Sequence, residues 1–414
     1  MDKEIKRNLE CPVCENKEIT LQKFRSVKTE VFVCQSCQHR ILTSSEKSSA
    51  PVSSKAGQYS LLKGAGVDFM IYSLLLCEDV RSAKSLLEVG CGVGFSLDFA
   101  RTYLKMDVVG IEPAPYYELA KSVFNLEVYN TYLENTPEIL GRKFDLVFFS
   151  EVIEHVENPG EFLRIVRLVS DKLALTTPNG EILHNPKALN YSQINNILYP
   201  GEHLRLYSKA SLKLELEKAG FKDVYVIEHP LNPARLFASA GMSAPSHLNA
   251  QKYRDIYINY LQTRIKSASD AMLKLGLLWR LFKELVNLGN YQAAAEALKQ
   301  LLEALEENDL TRANQELFFP PCAIYYKGMM ELNTGMIVKA AESFKIATKL
   351  LKRAISKYPF DEEYADLFLM AKYHYALSLE RLGKKARAKA IYLSLLFNKP
   401  PLELRARVIS NLRS

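Results

Sequence analysis

The chain has 414 residues, 48% of them hydrophobic and 24% charged, a balance that excludes a disordered chain and gives enough length for two or three separately buried cores. Its longest apolar stretch, Phe69 to Cys77, is half a bilayer span and its first ten residues are charged with no apolar signal region, so a cytoplasmic protein without a transmembrane segment is expected. The net charge of +7 is uneven: residues 251 to 414 hold 26 Lys+Arg against 17 Asp+Glu, which leaves the first 250 residues at −2. A basic C-terminal part fits an acidic partner, a membrane surface or a solvated helical face.

In chain order, the first predicted unit spans residues 9 to 42. It holds Cys11-Pro-Val-Cys14 and Cys34-Gln-Ser-Cys37, two matched CxxC pairs separated by 19 residues. Four thiolates at this spacing suit a closed tetrahedral zinc site, a zinc ribbon, in which structural zinc stabilises a unit too small for a full core. A redox CxxC is the competing reading, but redox motifs do not come in two matched pairs outside a thioredoxin-like fold. His39 reads as a surface residue, and Cys77, Cys91 and Cys322 as ordinary core or loop residues. Residues 43 to 59, which include TSSEKSSAPVSS, have the composition of a linker.

Residues 60 to 240 alternate β-branched apolar runs with amphipathic stretches. SLLEVG, DVVGIE, FDLVFFS and KLALTTP read as strands, and the alternation predicts a doubly wound, Rossmann-like α/β sheet. Leu86 to Gly94, LLEVGCGVG, is a buried strand running into a turn where Gly90, Gly92 and Gly94 let the chain reverse and a ligand approach the backbone. Glu112 ends the next strand 18 residues after Gly94, where a carboxylate accepts hydrogen bonds from ribose hydroxyls. Dinucleotide-binding folds share these features, so the glycines and Glu112 alone do not separate a methyltransferase from a dehydrogenase.

After the fourth strand comes Glu151-Val-Ile-Glu154-His155. Spacings of three and four put Glu151, Glu154 and His155 on one face if a helix begins there. Two carboxylates and an imidazole bind cations of the Mg or Mn type, and His203, in GEHLRLYSKASL, is available as a fourth ligand. The plainer readings are a histidine base or acceptor-positioning group without metal, and a histidine that merely orders its loop. Residues 178 to 202, with ALNYSQINNILYP inside them, are expected to cover the acceptor.

In order and spacing, LLEVGCGVG, GIEP, FDLVFFSEVIEHVENPGEFL and LALTTPN resemble the class I S-adenosylmethionine-dependent methyltransferases, particularly the group containing the ubiquinone-pathway O-methyltransferases. The resemblance covers about 170 residues. It implies that Glu88 and the loop of Gly90, Gly92 and Gly94 hold the methionine moiety, that Glu112 holds the ribose, and that the stretch starting Asn130-Thr131 lies near adenine. The pairing of EVIEH with a later histidine resembles the metal-dependent 2'-O-methyltransferases of small RNAs. In those families the metal holds two adjacent hydroxyls, which implies a vicinal-diol acceptor: a sugar, a ribose end or a catechol. A ribbon joined to such a domain resembles bacterial sugar methyltransferases and enzymes of surface-polysaccharide clusters, which implies a carbohydrate acceptor. RNA is the alternative acceptor, although no Lys/Arg track with interleaved aromatics is evident and the catalytic half is not basic. A third alternative is a scaffold without turnover, against which the intact Glu88, glycines and Glu112 stand.

From about 250 to 414, strand signals give way to helical spacing. LLWRLFKELVNLGNYQAAAEAL, IYYKGMMELNTGMIVKAAESF and KYHYALSLERLGKKARAKAIY each end a helix at a glycine (Gly289, Gly335, Gly383) and carry a small residue five positions later (Ala294, Ala340, Ala388). The pattern resembles the tetratricopeptide repeat with glycines 46 and 48 residues apart, and implies a surface for a protein partner or a large acceptor.

Overall fold

The computed structural model describes residues 10–413 apart from 25–28, 45–59, 64–65, 187–188, 190, 247–248, 308–319, 358–361 and 398–399. The chain forms two compact units. The first comprises the described residues up to 57, 65–186 and 197–257; the second those of 58–64, 187–196 and 258–414. Among the described residues no helix is long and apolar enough to cross a membrane.

The first unit opens with an antiparallel sheet of β1 (Ile19–Lys23), β2 (Thr29–Cys34) and β3 (Arg40–Ser44). β3 therefore includes Thr43 and Ser44, assigned to a linker from composition, because both pair in register with β2. The remainder of that linker, 45–59, lies outside the described residues. The sheet does not stop at the ribbon. Its fourth strand is β9 (Arg205–Leu206), a two-residue strand contributed from far along the chain.

The second sheet is built from β4 (Ser85–Val89), β5 (Asp107–Ile111), β6 (Glu127–Tyr129), β7 (Leu146–Ser150), β8 (Leu173–Pro178), β10 (Tyr225–His229) and β11 (Asn232–Ala240), in the order β10-β11-β8-β7-β4-β5-β6. Strands β4 to β8 pair in parallel, and β11 and β10 close one edge antiparallel. This is a Rossmann-like α/β fold with a mixed sheet. The central strands read as near-continuous apolar runs because both faces are covered. Leu86, Leu87, Val147, Phe148, Phe149, Leu173 and Leu175 are all buried, with helices α1 (Val67–Leu75), α2 (Phe95–Thr102), α3 (Tyr116–Phe124), α4 (Pro159–Val169) and α5 (Lys209–Lys218) around the sheet. Helix α4 starts where Asn158 accepts from the Glu161 amide and Pro159 follows, and its apolar stripe of Phe162, Leu163 and Val166 joins Leu212 and Leu216 of α5 in one core. The strand order reverses between β4 and β7, so ligand chemistry is expected beyond their C-terminal ends.

The second unit is helical. It contains α7 (Ala271–Asn287), α8 (Tyr291–Glu307), α9 (Pro320–Asn333), α10 (Ile337–Lys357), α11 (Glu362–Arg381), α12 (Lys385–Phe397) and α13 (Leu402–Arg413); α6 (Ala250–Ser267) crosses the boundary between the units. Gly289, Gly335 and Gly383 all adopt left-handed backbone, as a glycine just past a helix end does, and each reverses the chain into the next helix. Ala294, Ala340 and Ala388 are buried where the paired helices meet. The long spacing from Gly335 to Gly383 reflects helix length, since α10 runs for 21 residues and α11 for 20.

Packing between α9 and α10 is tight at Gly328, where an added Cβ would lie 2.8 Å from the ring of the fully buried Phe344. Alanine gains about 1 kcal/mol of helix propensity, but overpacking a closed core costs about 1–3 kcal/mol. Gly328→Ala should therefore lower the thermal midpoint. A raised midpoint in a melting experiment would show that the ring has room to move.

Candidate active site and metal centre

The four ribbon cysteines come together in a small core with Val13, Ile19 and Leu214. The Cys11 and Cys37 sulfurs are 3.6 Å apart and those of Cys14 and Cys34 3.4 Å, with all four sulfurs within 4.8 Å of one another. A tetrahedron with Zn–S bonds of about 2.3 Å has edges of roughly 3.8 Å, so the cradle fits zinc, and the spacings are far longer than a disulfide of about 2.05 Å. The hydrogen bond with Cys37 holds the Cys11 thiol down to about 5 and pushes the Cys37 thiol up. His39 is not at the surface. It is buried edge-on against Tyr207, 5.0 Å between rings, because β9 carries Tyr207 onto the ribbon.

Glu88, on β4, is fully buried; one of its oxygens accepts from Ser96 at the start of α2, and the other has no hydrogen-bond partner. Burial pushes its carboxyl up to about 8, opposed by the Ser96 bond. Glu112 accepts from the amides of Gly92 (2.7 Å) and Ala114 (2.8 Å), and burial raises its carboxyl too. The loop bends through left-handed backbone at Gly90, Gly92 and Gly94. A Cβ on Gly94 would meet Leu126 at 2.6 Å, whereas a Cβ on Gly92 would meet nothing within 4 Å: the first glycine is required by packing, the second faces open space. Asn130 donates to the carbonyls of Glu112 and Pro113, 3.0 Å each, and so ties the end of β5 to the loop after β6; Thr131 follows it in that loop.

Beyond β7 no helix begins at residue 151. Residues 152–157 turn instead, and α4 starts only at Pro159. Glu151 adopts φ 58° and pairs with Arg235 of β11 at 2.6 Å, so it does not join the other three polar residues. Those three do meet. Glu154 is completely buried; its Oε2 accepts from Thr177 of β8 at 2.9 Å, and its Oε1 has no hydrogen-bond partner. That Oε1 lies 3.9 Å from Nε2 of His155 and 4.0 Å from Nε2 of His203.

The tautomers follow from the partners. His155 Nδ1 lies 3.1 Å from the Glu202 carbonyl and His203 Nδ1 2.7 Å from the Ile197 carbonyl, and a carbonyl only accepts. Each imidazole therefore donates through Nδ1, which leaves the Nε2 lone pairs facing the bare carboxylate oxygen. Burial lowers both histidines, His203 to about 3, and raises Glu154 well above the carboxylate range. Tyr199, its ring 5.3 Å from that of His203, stands beside the pair.

Thr177, Ser96 and Arg235 were not singled out from the sequence. Ser96 carried a signal, a hydroxyl at the start of the helix after the glycine loop. Arg235 carried none, since its partner Glu151 lies just beyond a different strand, far away in the chain. The expected acceptor cover holds a turn at Gly180–His184 and a helix at Tyr191–Leu198, with 187, 188 and 190 outside the described residues.

Residues 70–240 match the family described as Methyltransferase domain. These residues are a class I S-adenosylmethionine-dependent methyltransferase domain. A tRNA U34 carboxymethyltransferase of Idiomarina loihiensis is 26% identical over 168 residues, 36% of this chain and 49% of that protein. A ubiquinone biosynthesis O-methyltransferase of Azorhizobium caulinodans is 38% identical over 97 residues, 21% of this chain and 38% of that protein. The chain thus spans about half or less of the length of these curated relatives. Among solved structures, a SAM dependent methyltransferase from Archaeoglobus fulgidus aligns at TM-score 0.33 and 16% identity, covering 44% of this chain and 93% of that one.

The methyltransferase domain predicts a pH signature. Burial pushes the Glu88 carboxyl up to about 8, so if Glu88 meets the cofactor's ammonium as a carboxylate it must first give up a proton below that pH. Binding should release a proton below that pH, so affinity should rise about tenfold per pH unit from 6 to 7 and level off near 8. Calorimetry of S-adenosylmethionine in two buffers of different ionisation enthalpy measures both; an affinity flat with pH would mean that Glu88 does not meet the ammonium.

Proposed function

We propose that this chain transfers a methyl group from S-adenosylmethionine to a hydroxyl of a vicinal diol, with Glu154, His155 and His203 holding a divalent cation of the Mg or Mn type. One observation carries the reading: a fully buried carboxylate oxygen with no hydrogen-bond partner, faced by two imidazole lone pairs. With Glu154 ionised all three atoms are acceptors, and a hydroxyl, water or primary amide offers them at most two hydrogens, whereas a divalent cation suits all three. Glu151, committed to Arg235, is left out of the ligand set.

Methyl transfer from a sulfonium asks little covalent help, because the leaving group is neutral; what the protein supplies is alignment and a path for the acceptor proton. Glu88 and the glycine loop orient the methionine end of the cofactor, and Glu112 offers its remaining lone pairs to the ribose hydroxyls. The Asn130–Thr131 loop borders the adenine. Thr177 and the Glu202 and Ile197 carbonyls fix the directions of Glu154, His155 and His203 before substrate arrives. A bound cation would lower the pKa of a coordinated hydroxyl and hold the diol in line.

The acceptor class that suits this geometry is a saccharide or another polyol, and the helical unit, read as tetratricopeptide-like, then holds a protein partner or the rest of a large acceptor. A second reading is an RNA ribose. It is favoured by the relative named for tRNA U34 and by Lys345, Lys349, Lys352 and Arg353, exposed along one side of α10. RNA binding with a steep salt dependence would favour it, and no RNA binding at low salt would remove it.

Calorimetry with Mn²⁺ alone tests the cation reading. Wild type should give a binding heat that Glu154→Ala abolishes. Methyl transfer to a catechol or nucleotide-sugar should stop on chelation and fall at least about 100-fold in Glu154→Gln, within the usual cost of losing a general or electrostatic catalyst. Turnover indifferent to chelator and to both variants would overturn the assignment.

A further inference from the structure

We infer that the ribbon is a positioning element of the candidate catalytic centre: strand β3 holds the segment that presents His203, so the integrity of the four-cysteine site sets how well Glu154, His155 and His203 bind a cation. The inference rests on reading those three residues as a cation site, and concerns what keeps them in place.

The chain of contacts is short. His203 is followed by Leu204, whose amide donates to the Glu154 carbonyl at 2.9 Å and whose carbonyl accepts from the Leu42 amide of β3 at 3.0 Å. One residue thus bridges the catalytic turn and the ribbon. The next two residues, Arg205 and Leu206, form β9, which pairs with Ile41 and Arg40. β9 belongs to the ribbon's sheet and not to the seven-stranded one. A two-residue strand cannot hold itself extended, so its conformation comes from β3. The pairing is fastened where it meets the cysteines: Ser208 donates to the carbonyl of Cys37 at 2.5 Å, and His39, two residues on, packs against Tyr207. On the other side Gly180 donates to the Tyr207 carbonyl at 2.8 Å. At the cysteine end the ribbon packs only Val13 and Ile19, with Leu214 of α5, around its four thiols, so the shape of that end depends on what the thiolates hold, while Val31, Phe32, Val33 and Leu42 are buried along the strands.

His203 therefore has restraints from unlike sources. Its ring is oriented by the Ile197 carbonyl, its amide donates to the Tyr199 carbonyl at 3.1 Å, and the backbone that follows it is placed by β3. Groups that orient a metal ligand from outside change metal affinity by about 10–100-fold when lost. Release of zinc, or loss of the Leu42 donor, should act on cation affinity while leaving the cofactor loop, built from β4 and β5, alone.

The experiment uses the full chain loaded with zinc. Leu42→Pro removes the one amide that reaches Leu204. Zinc content, S-adenosylmethionine affinity and Mn²⁺ affinity are measured for wild type, for the variant, and for wild type after zinc release with a mercurial. The expected result is Mn²⁺ affinity at least about tenfold weaker in the variant that retains zinc and in the zinc-released wild type, with cofactor affinity changed less than about twofold. Unchanged Mn²⁺ affinity in the zinc-released wild type overturns the inference, and so does parallel loss of both ligands, which would mean general unfolding. If wild type binds no Mn²⁺, the cation reading itself has failed. The ring resonance of His203, one of seven histidines and assigned with His203→Gln, then decides the coupling alone: movement on zinc release supports it, and no movement overturns it.

Discussion

A carboxylate sealed from solvent is the constraint around which the loops above this sheet are arranged. Glu154 has no exposed surface, and burying an unpaired ion costs several kcal/mol. Thr177 satisfies one oxygen, and two histidines converge on the other. Burial pushes all three groups toward neutrality, with the carboxyl raised and both imidazoles lowered. In the proposed reading a bound cation would invert that balance, stabilising the carboxylate and using the lone pairs that neutral imidazoles keep. Its place in the fold is the expected one, beyond β7 at the reversal of strand order.

The same turn explains why the ribbon is not a detached module. The cluster around the four cysteines includes Leu214 of α5, and β3 would be a bare edge if nothing paired with it. β9 covers that edge, and the ribbon in return holds the stretch between His203 and Ser208. Ile41 and Leu42 therefore serve two ends: they close the small sheet, and through Leu204 they reach the Glu154 backbone. The buried His39 belongs to this joint, which is why a residue that looks peripheral beside a CxxC pair is enclosed.

What was legible in the sequence follows the range of the forces involved. Parallel strands buried on both faces need unbroken apolar runs, so LLEV, DVVGI, LVFFS and LALTT announce themselves. The turn after β4 needs left-handed backbone and a close approach to Leu126, which is written as glycine. Paired cysteines and the glycines of the helical hairpins are local signals of the same kind. The shared face that a helix at Glu151 would have given does not form, for a reason that is not local. Arg235 of β11 takes the Glu151 side chain, the backbone there is left-handed, and the spacing that would have put Glu151 beside Glu154 never forms.

The sequence by itself determined the alternating α/β sheet, the glycine loop with Glu88 and Glu112, the four-cysteine cluster and the helical hairpins, because each is encoded by residues close together in the chain. Only the tertiary structure decided which polar residues share a site. Glu154 and His203 lie on separate loops, and their meeting depends on a turn after β7 and on a strand that exists only by pairing with the ribbon. No periodicity of one segment can specify a contact whose geometry is set by a different sheet.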